Sequence, residues 1–282
     1  MPIPPSIARR LGRALISPGL DEKLRGIHFR DAGHGYDAFG LHPDFVQFGA
    51  GASFWFYNSY FRVISEGASN IPSEGAAILA ANHSGVIPID GMMLWHDVLI
   101  HTEPPRVVRG IADHFVPALP FIGTLFARAG MVGGSRGNVR VLLEAGEMLM
   151  IFPEGTPGIV KPFSDRYHLQ PFRVGHAELA IRHQVPIIPV GIIGAEEQLP
   201  SFFSSRRLGR LAGFPTLPIP FLPVPLPVRY RIIYGAPLTG HLGTDPATAD
   251  DPKTVQALAK EVQASVDSLL RKGLADREGV FK

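Results

Sequence analysis

The chain of 282 residues has no cysteine. This excludes a disulfide framework, a thiolate metal site and a cysteine nucleophile. Charge is also scarce, at 18% of residues, and the two signs nearly cancel: 27 Lys and Arg against 25 Asp and Glu, net +2, with a pI near 9.0. A dedicated nucleic-acid binder carries a large cationic excess, so that class is set aside; the balance fits weak attraction to an anionic membrane surface and, at least as well, an ordinary mildly basic protein. No apolar run reaches the ~20 uninterrupted residues of a spanning helix. Residues 45–61 are aromatic-rich but carry Gln47, Ser53, Asn58 and Ser59. Residues 211–228 are apolar but contain Pro215, Pro218, Pro220, Pro223, Pro225 and Pro227, which remove backbone donors and break helices. We therefore expect no transmembrane span, and both stretches are candidates for lying in a membrane interface. The N-terminus lacks the unbroken apolar stretch of a secretory signal, because Arg9, Arg10 and Arg13 interrupt it.

What is present is apolar sequence, 45% of the chain, enough for a sizeable core. Residues 1–65 read as an N-terminal arm of helices and loops facing a membrane. Ile7, Leu11 and Leu15 recur at helical spacing opposite the arginines, the pattern of a short basic amphipathic helix that suits a membrane or a protein surface equally. From 66 to 282 short apolar runs alternate with amphipathic stretches. Runs at 76–81, 107–111, 148–152, 186–190 and 228–234 read as buried strands; 91–99, 115–129, 138–145 and 171–182 read as helices. The alternation predicts an α/β fold with a mostly parallel sheet flanked by helices. A last helix is expected to start with Asp251 as N-cap and Pro252 in its first turn. It carries the stripe Val255, Leu258, Val262, Val266 and Leu269 and is expected to stop at Gly273. The segment 199–227, with Phe202, Phe203, Phe214, Phe221, Arg206, Arg207, Arg210 and many prolines, reads equally as a cover over the core or as an excursion into lipid headgroups.

Three blocks carry candidate chemistry. Ala81-Asn82-His83-Ser84-Gly85-Val86-Ile87-Pro88-Ile89-Asp90-Gly91 follows an apolar strand, and in an open α/β sheet the C-terminal ends of strands hold ligands and reactive groups. An imidazole there titrates near neutrality, and a carboxylate beside it would fix its tautomer. On a continuous helix Asp90 would rise about 10 Å from His83, but Gly85 and Pro88 favour a turn that returns it. Ile151-Phe152-Pro153-Glu154-Gly155-Thr156-Pro157-Gly158 again follows a strand and offers turn amides with two polar side chains. Gly133-Gly134-Ser135-Arg136-Gly137-Asn138 precedes a helix and suits either a phosphate or a plain cap. Val185-Pro186-Ile187-Ile188-Pro189-Val190-Gly191 is read as structural.

Taken in order, Asn-His with a downstream Asp, the Gly/Arg loop, Phe-Pro-Glu-Gly-Thr and Val-Pro-Ile-Ile-Pro-Val resemble the glycerolipid acyltransferase family, which includes glycerol-3-phosphate and lysophosphatidic acid acyltransferases. The resemblance covers about residues 65–240. It implies an O-acyltransferase that uses acyl-CoA or acyl-ACP as co-substrate and no other cofactor. His83 would be the general base and Asp90 its partner. Ser135, Arg136, Glu154, Gly155 and Thr156 would fall in the acceptor-binding blocks. The family pattern places the acid five positions after the histidine; here that position is Pro88 and the acid comes at Asp90.

The expected partners are a lipid acceptor (lysophospholipid or glycerol phosphate), an acyl thioester, with acyl carrier protein as one possible bearer, and a membrane surface, with no nucleic acid. The expected location is peripheral, on the cytoplasmic face, with Phe54, Trp55, Phe56 and Tyr57 as interfacial anchors. Lys161, Arg166 and Arg173 are candidate phosphate partners or a solvated basic face. Three alternatives stay open: a neutral acceptor such as diacylglycerol or another alcohol or amine, a hydrolase using Ser84 or water, and a non-catalytic lipid-binding protein. The histidines at 96, 101, 114, 168, 176 and 183 lack ligand spacing, so no metal is expected.

Overall fold

The computed structural model describes residues 3–84, 87–113, 116, 121–211 and 217–282. The chain opens with helices α1 (Pro5–Leu15), α2 (Pro18–Leu24) and α3 (Pro43–Trp55), the last running into a π-helical turn, Phe56–Tyr60. Strand β1 (Ile64–Glu66), β2 (Ala77–Ala81), α4 (Ile89–His101), β3 (Arg109–Ala112), α5 (Ile122–Arg128), β4 (Val132–Gly133), α6 (Arg136–Glu144) and β5 (Met148–Ile151) follow. Then come α7 (Thr156–Ile159), α8 (Gly175–His183), β6 (Ile187–Ile193), α9 (Ala195–Gln198), β7 (Ser201–Ser205), α10 (Arg206–Leu211), β8 (Leu217–Pro220), β9 (Arg231–Tyr234) and α11 (Pro252–Asp276).

The strands form a seven-stranded sheet in the order β1-β9-β6-β2-β5-β3-β4 and a separate two-stranded hairpin, β7-β8. In the large sheet only the β6–β9 pair is antiparallel. This is the mostly parallel α/β sheet that the alternating pattern predicts. Strands β2 and β6 are buried along their whole length, as strands covered on both faces must be. One core, with Leu79, Met93, Val98 and Tyr230, lies on the α4 face; the other, with Ile78, Leu142, Ile181 and Val262, lies under α6, α8 and α11.

Several boundaries differ from the sequence expectation for identifiable reasons. Helix α8 starts at Gly175 instead of 171 because residues 170–173 are held extended: Gln170 N–H bonds Glu154 Oε2 at 2.7 Å and Arg173 N–H bonds the Pro153 carbonyl at 2.9 Å. Of the helix expected over 115–129, α5 accounts for the C-terminal half, while 115 and 117–120 lie outside the described residues. Asp251 does cap α11, accepting from the amides of Lys253 and Thr254. Gly273, however, does not stop it. It is an interior, buried position where any Cβ would overlap the Cδ1 atoms of Ile233 and Ile193, so glycine there serves close helix-on-sheet approach. The short strands β1 and β4 were too brief to give a periodic signal.

Helix α1 docks by its small face. Ala8 and Gly12 are buried. A Cβ on Gly12 would come within 2.6 Å of the Gln47 carbonyl oxygen, and one on Gly51 of α3 within 2.7 Å of the Gly12 carbonyl. Two glycines thus let the helix backbones touch, and Arg9–Asp44 and Arg13–Asp21 ion pairs flank the seam at 3.2 and 3.0 Å. The larger residues Ile7, Leu11 and Leu15 are left exposed. No helix among the described residues is long and apolar enough to cross a membrane. Gly51→Val should undock α1 without unfolding the sheet, because the clash is with backbone that cannot rotate away. Hydrogen exchange should show residues 5–15 losing protection while β2, β5 and β6 keep theirs, at a cost of about 1–3 kcal/mol.

Candidate active site

The site lies at the C-terminal ends of β2, β3 and β5. Asn82, fully buried just beyond β2, clamps the neighbouring strand: its Oδ1 accepts from the Ile192 amide at 2.7 Å and its Nδ2 donates to the Ile192 carbonyl at 3.0 Å. The next residue, His83, is thereby placed at a fixed point above the sheet. Pro88 is the N-cap of α4, so the chain turns before the helix begins and Asp90 sits in its first turn. The turn returns Asp90 to the histidine: His83 Nδ1 and Asp90 Oδ2 are 2.7 Å apart.

Asp90 is wholly buried. Its Oδ2 also accepts the Ser84 amide at 2.8 Å, and its Oδ1 the Gly91 amide at 2.7 Å. An ionised carboxylate can only accept, so the imidazole proton lies on Nδ1 and the Nε2 lone pair is free to take a proton. Phe152 stacks on the ring, centroids 4.2 Å apart, and the His83 side chain keeps 12% exposure. Burial alone would depress the imidazole pKa. The charge and hydrogen bond of Asp90, then the charges of Glu154 and Asp113, outweigh it and hold His83 above the ordinary value of 6.5.

Glu154 is the second buried carboxylate of the site. Its Oε1 accepts the His83 backbone amide at 3.0 Å and its Oε2 the Gln170 amide at 2.7 Å. Lys161 Nζ stands 3.6 Å from Glu154 Oε2 and 3.0 Å from Glu196 Oε1, and all three side chains are at most 5% exposed. Lys161 is therefore neither a phosphate partner nor part of a solvated basic face; two carboxylates neutralise it in the interior. Burial pushes the Glu196 carboxyl up, and Lys161 only partly offsets this.

Gly155 has φ +60, and its backbone lies against the Arg173 guanidinium, where a Cβ would meet Cζ at 2.8 Å. Thr156 Oγ1 donates to Asp113 Oδ2 at 3.2 Å. Ser135 caps α6, accepting from the Asn138 amide at 3.1 Å. Arg136 is 88% exposed, 3.6 Å from Glu178. The structure thus gathers His83, Asp90, Glu154, Gly155 and Thr156, while neither Ser135 nor Arg136 hydrogen-bonds to that group. Ser84 Oγ is buried, has no hydrogen-bond partner among the described residues and lines a cavity of about 30 Å³. A serine nucleophile needs its base within hydrogen-bond reach, and none is there. Asp113 and Glu196 are parts of the site that the sequence reading does not name, and Lys161, read there as a phosphate partner or a solvated cation, is instead a buried ion-pair partner. Only Asp113, directly after an apolar strand, carried a positional signal.

The family model described as Acyltransferase matches residues 62–193. An uncharacterized protein of Mycobacterium tuberculosis is 40% identical over 240 residues, 80% of this chain and 66% of the relative; the chain thus spans about two thirds of that relative's length. A human protein named DGAT1/2-independent enzyme synthesizing storage lipids is 29% identical over 208 residues, covering 73% of this chain and 60% of the relative. The crystal structure of the 1-acyl-sn-glycerophosphate (LPA) acyltransferase PlsC from Thermotoga maritima superposes with a TM-score of 0.54 at 21% identity, over 84% of this chain and 80% of that one; it shares the fold.

Removing the ammonium from between two buried carboxylates leaves them uncompensated. Lys161→Met should cost about 3–5 kcal/mol in chemical denaturation. Pairing it with Glu196→Leu should recover part of the loss.

Proposed function

The chain belongs to the acyltransferase family, and from that premise we propose that it moves a fatty acyl group from an acyl thioester onto a hydroxyl of a glycerolipid-type acceptor. The observation that carries this reading is the 2.7 Å bond from His83 Nδ1 to a fully buried Asp90. It leaves Nε2 as a base aimed away from its partner. The acceptor O–H gives its proton to His83 Nε2 as the oxygen attacks the thioester carbonyl. Asp90 offsets the imidazolium charge, and the backbone amide of Thr156, the first of α7, steadies the oxyanion; the amides of Gly155 and Gly158 are taken by the Phe152 and Gly155 carbonyls. Collapse breaks the carbon–sulfur bond, and the imidazolium proton passes to the leaving thiolate, so the ester and the free thiol leave with His83 neutral again. No acyl-enzyme is required. Glu154 holds the His83 backbone in place, while Gly155 and Thr156 face the acceptor. The acyl chain and the lipid acceptor both reside in a bilayer, so the enzyme works as a peripheral protein at a membrane surface, on the cytoplasmic face.

A neutral acceptor, such as diacylglycerol, is a second reading favoured by one observation. Arg136, the cation of the block tied to acceptor phosphate, faces solvent and Glu178, whereas Asp90, Asp113 and Glu154 surround the base. The storage-lipid name of the human relative points the same way. Incubation with mixed acyl-CoA and acyl-ACP donors and with phosphorylated and neutral acceptors, read by mass spectrometry, separates the two. Release of free fatty acid without dependence on acceptor would overturn both.

His83→Ala should lower the acyl-transfer rate by about a hundredfold or more. Because the base acts when neutral, kcat/KM should fall as pH drops through the raised His83 pKa, with the midpoint of that acid limb above 6.5. Asp90→Asn removes the charge that raises it. The limb should then move to lower pH while the plateau rate falls, since the amide no longer enforces the Nδ1–H tautomer.

A further inference from the structure

The hairpin β7–β8 is not part of the seven-stranded sheet, and several apolar side chains of the hairpin and of the strap after it face solvent. Phe203 is 64% exposed, Val224 63% and Phe221 76%, with Leu208 also exposed. Four large apolar side chains left exposed on one hairpin and the strap that follows it point to an interaction site. The segment is also one-signed. Between Glu197 and Asp245 there is no acidic residue, while Arg206, Arg207, Arg210, Arg229 and Arg231 fall in that interval. The first three are exposed and pair with no carboxylate among the described residues.

The surface is held rigidly. The strap after β8 is tied back by the Phe221 amide to the Pro200 carbonyl at 2.9 Å and the Leu226 amide to the Gln198 carbonyl at 2.7 Å. Tyr60 Oη donates to the Pro225 carbonyl at 2.6 Å and Arg62 Nη2 to the Pro227 carbonyl at 2.9 Å. Tyr60 in turn packs against Trp55, ring centroids 5.2 Å apart, and Trp55 is exposed. The apolar band therefore continues from the hairpin through the strap to the end of α3. At its other end it adjoins the site, because Leu199 and Ser201, at the root of β7, line the same small cavity as Ser84.

We propose that the β7–α10–β8 hairpin and the 221–227 strap form a docking surface for an anionic phospholipid bilayer, which sets the lipid phase beside His83. Charge complementarity selects the occupant. Exposed aromatic and aliphatic side chains beside Arg206, Arg207 and Arg210, on a segment with no acidic residue between Glu197 and Asp245, match acyl chains beneath phosphate headgroups. A protein partner would need an acidic apolar face, and a second copy would set the same arginines against each other. The inference rests on the acyl-transfer reading only for its consequence in turnover; bilayer binding is measured without it.

The test is vesicle co-sedimentation of the full chain in the His83→Ala background, which removes turnover. Vesicles of phosphatidylcholine alone are compared with equimolar phosphatidylcholine and phosphatidylserine. The chain should sediment with the anionic vesicles and far less with the neutral ones. R206Q/R207Q/R210Q should lower the partition by about a hundredfold, and F203S/V224S should lower it on both vesicles. Each variant is checked for an unchanged thermal midpoint. Independently of those variants, bromine-labelled acyl chains in the anionic vesicles should quench Trp55 fluorescence, and W55F should abolish the quenching, because the second tryptophan, Trp95, is buried. Binding that survives both multiple variants, or no preference for anionic vesicles, overturns the proposal. So does concentration-dependent dimerisation lost in F203S/V224S without vesicle binding, which would give the face to a second copy.

Discussion

A carboxylate with no solvent contact must have every strong acceptor site answered by a donor, and Asp90 is the group on which this site depends. The protein answers it with the His83 ring and the amides of Ser84 and Gly91. These donors can reach it only because Pro88 ends the loop and starts α4 where it does. The same arrangement that satisfies a buried charge fixes the imidazole tautomer, so local folding energetics and the protonation pattern of the ring are one constraint. Ring and carboxylate cannot drift apart without stranding a charge in the core.

Glu154 repeats this logic one layer back. Its two oxygens take the amide of His83 and the amide of Gln170, which couples the turn after β5 to the loop after β2 and delays the start of α8. Lys161 and Glu196 complete a buried row of alternating charge, so the residue is first a brace for the His83 backbone. That a polar turn motif serves as internal scaffolding explains why its acid is buried while its neighbours Gly155 and Thr156 stay accessible. Arg173 lies against Gly155 at the open side of the same turn.

The exterior follows a different rule. Where α1 meets α3, glycines are buried and larger apolar residues remain outside, the reverse of an ordinary amphipathic contact. Close backbone approach replaces side-chain interdigitation, and the outward stripe of Ile7, Leu11 and Leu15 stays exposed. Trp55 belongs to that outer surface, whereas Tyr57, two residues on, is buried with its hydroxyl on Asp97. A run of four aromatic residues therefore divides between the interior and the surface at the π-helical turn.

The alternation of apolar runs and amphipathic stretches, with punctuation by glycine and proline, was enough to establish the α/β class, the main strands and the caps of α11, because these depend on local periodicity and local hydrogen bonding. The pairing of His83 with Asp90 was legible in part, since Gly85 and Pro88 disfavour the continuous helix that would separate them. The roles of Lys161, Glu196 and Asp113 were not legible: each depends on groups brought together from separate loops, and sequence distance carries no record of that. Gly273 looked like a helix stop because an isolated glycine reads as one; only the isoleucines of β6 and β9 pressed against it reveal a packing role. The proline-rich segment was equally suited to cover the core or to face outward, and among its described residues the tertiary structure divides it: Leu226 packs against the core while Phe203 and Val224 face solvent, because long-range ties such as Tyr60 to the Pro225 carbonyl set which side chains reach the core.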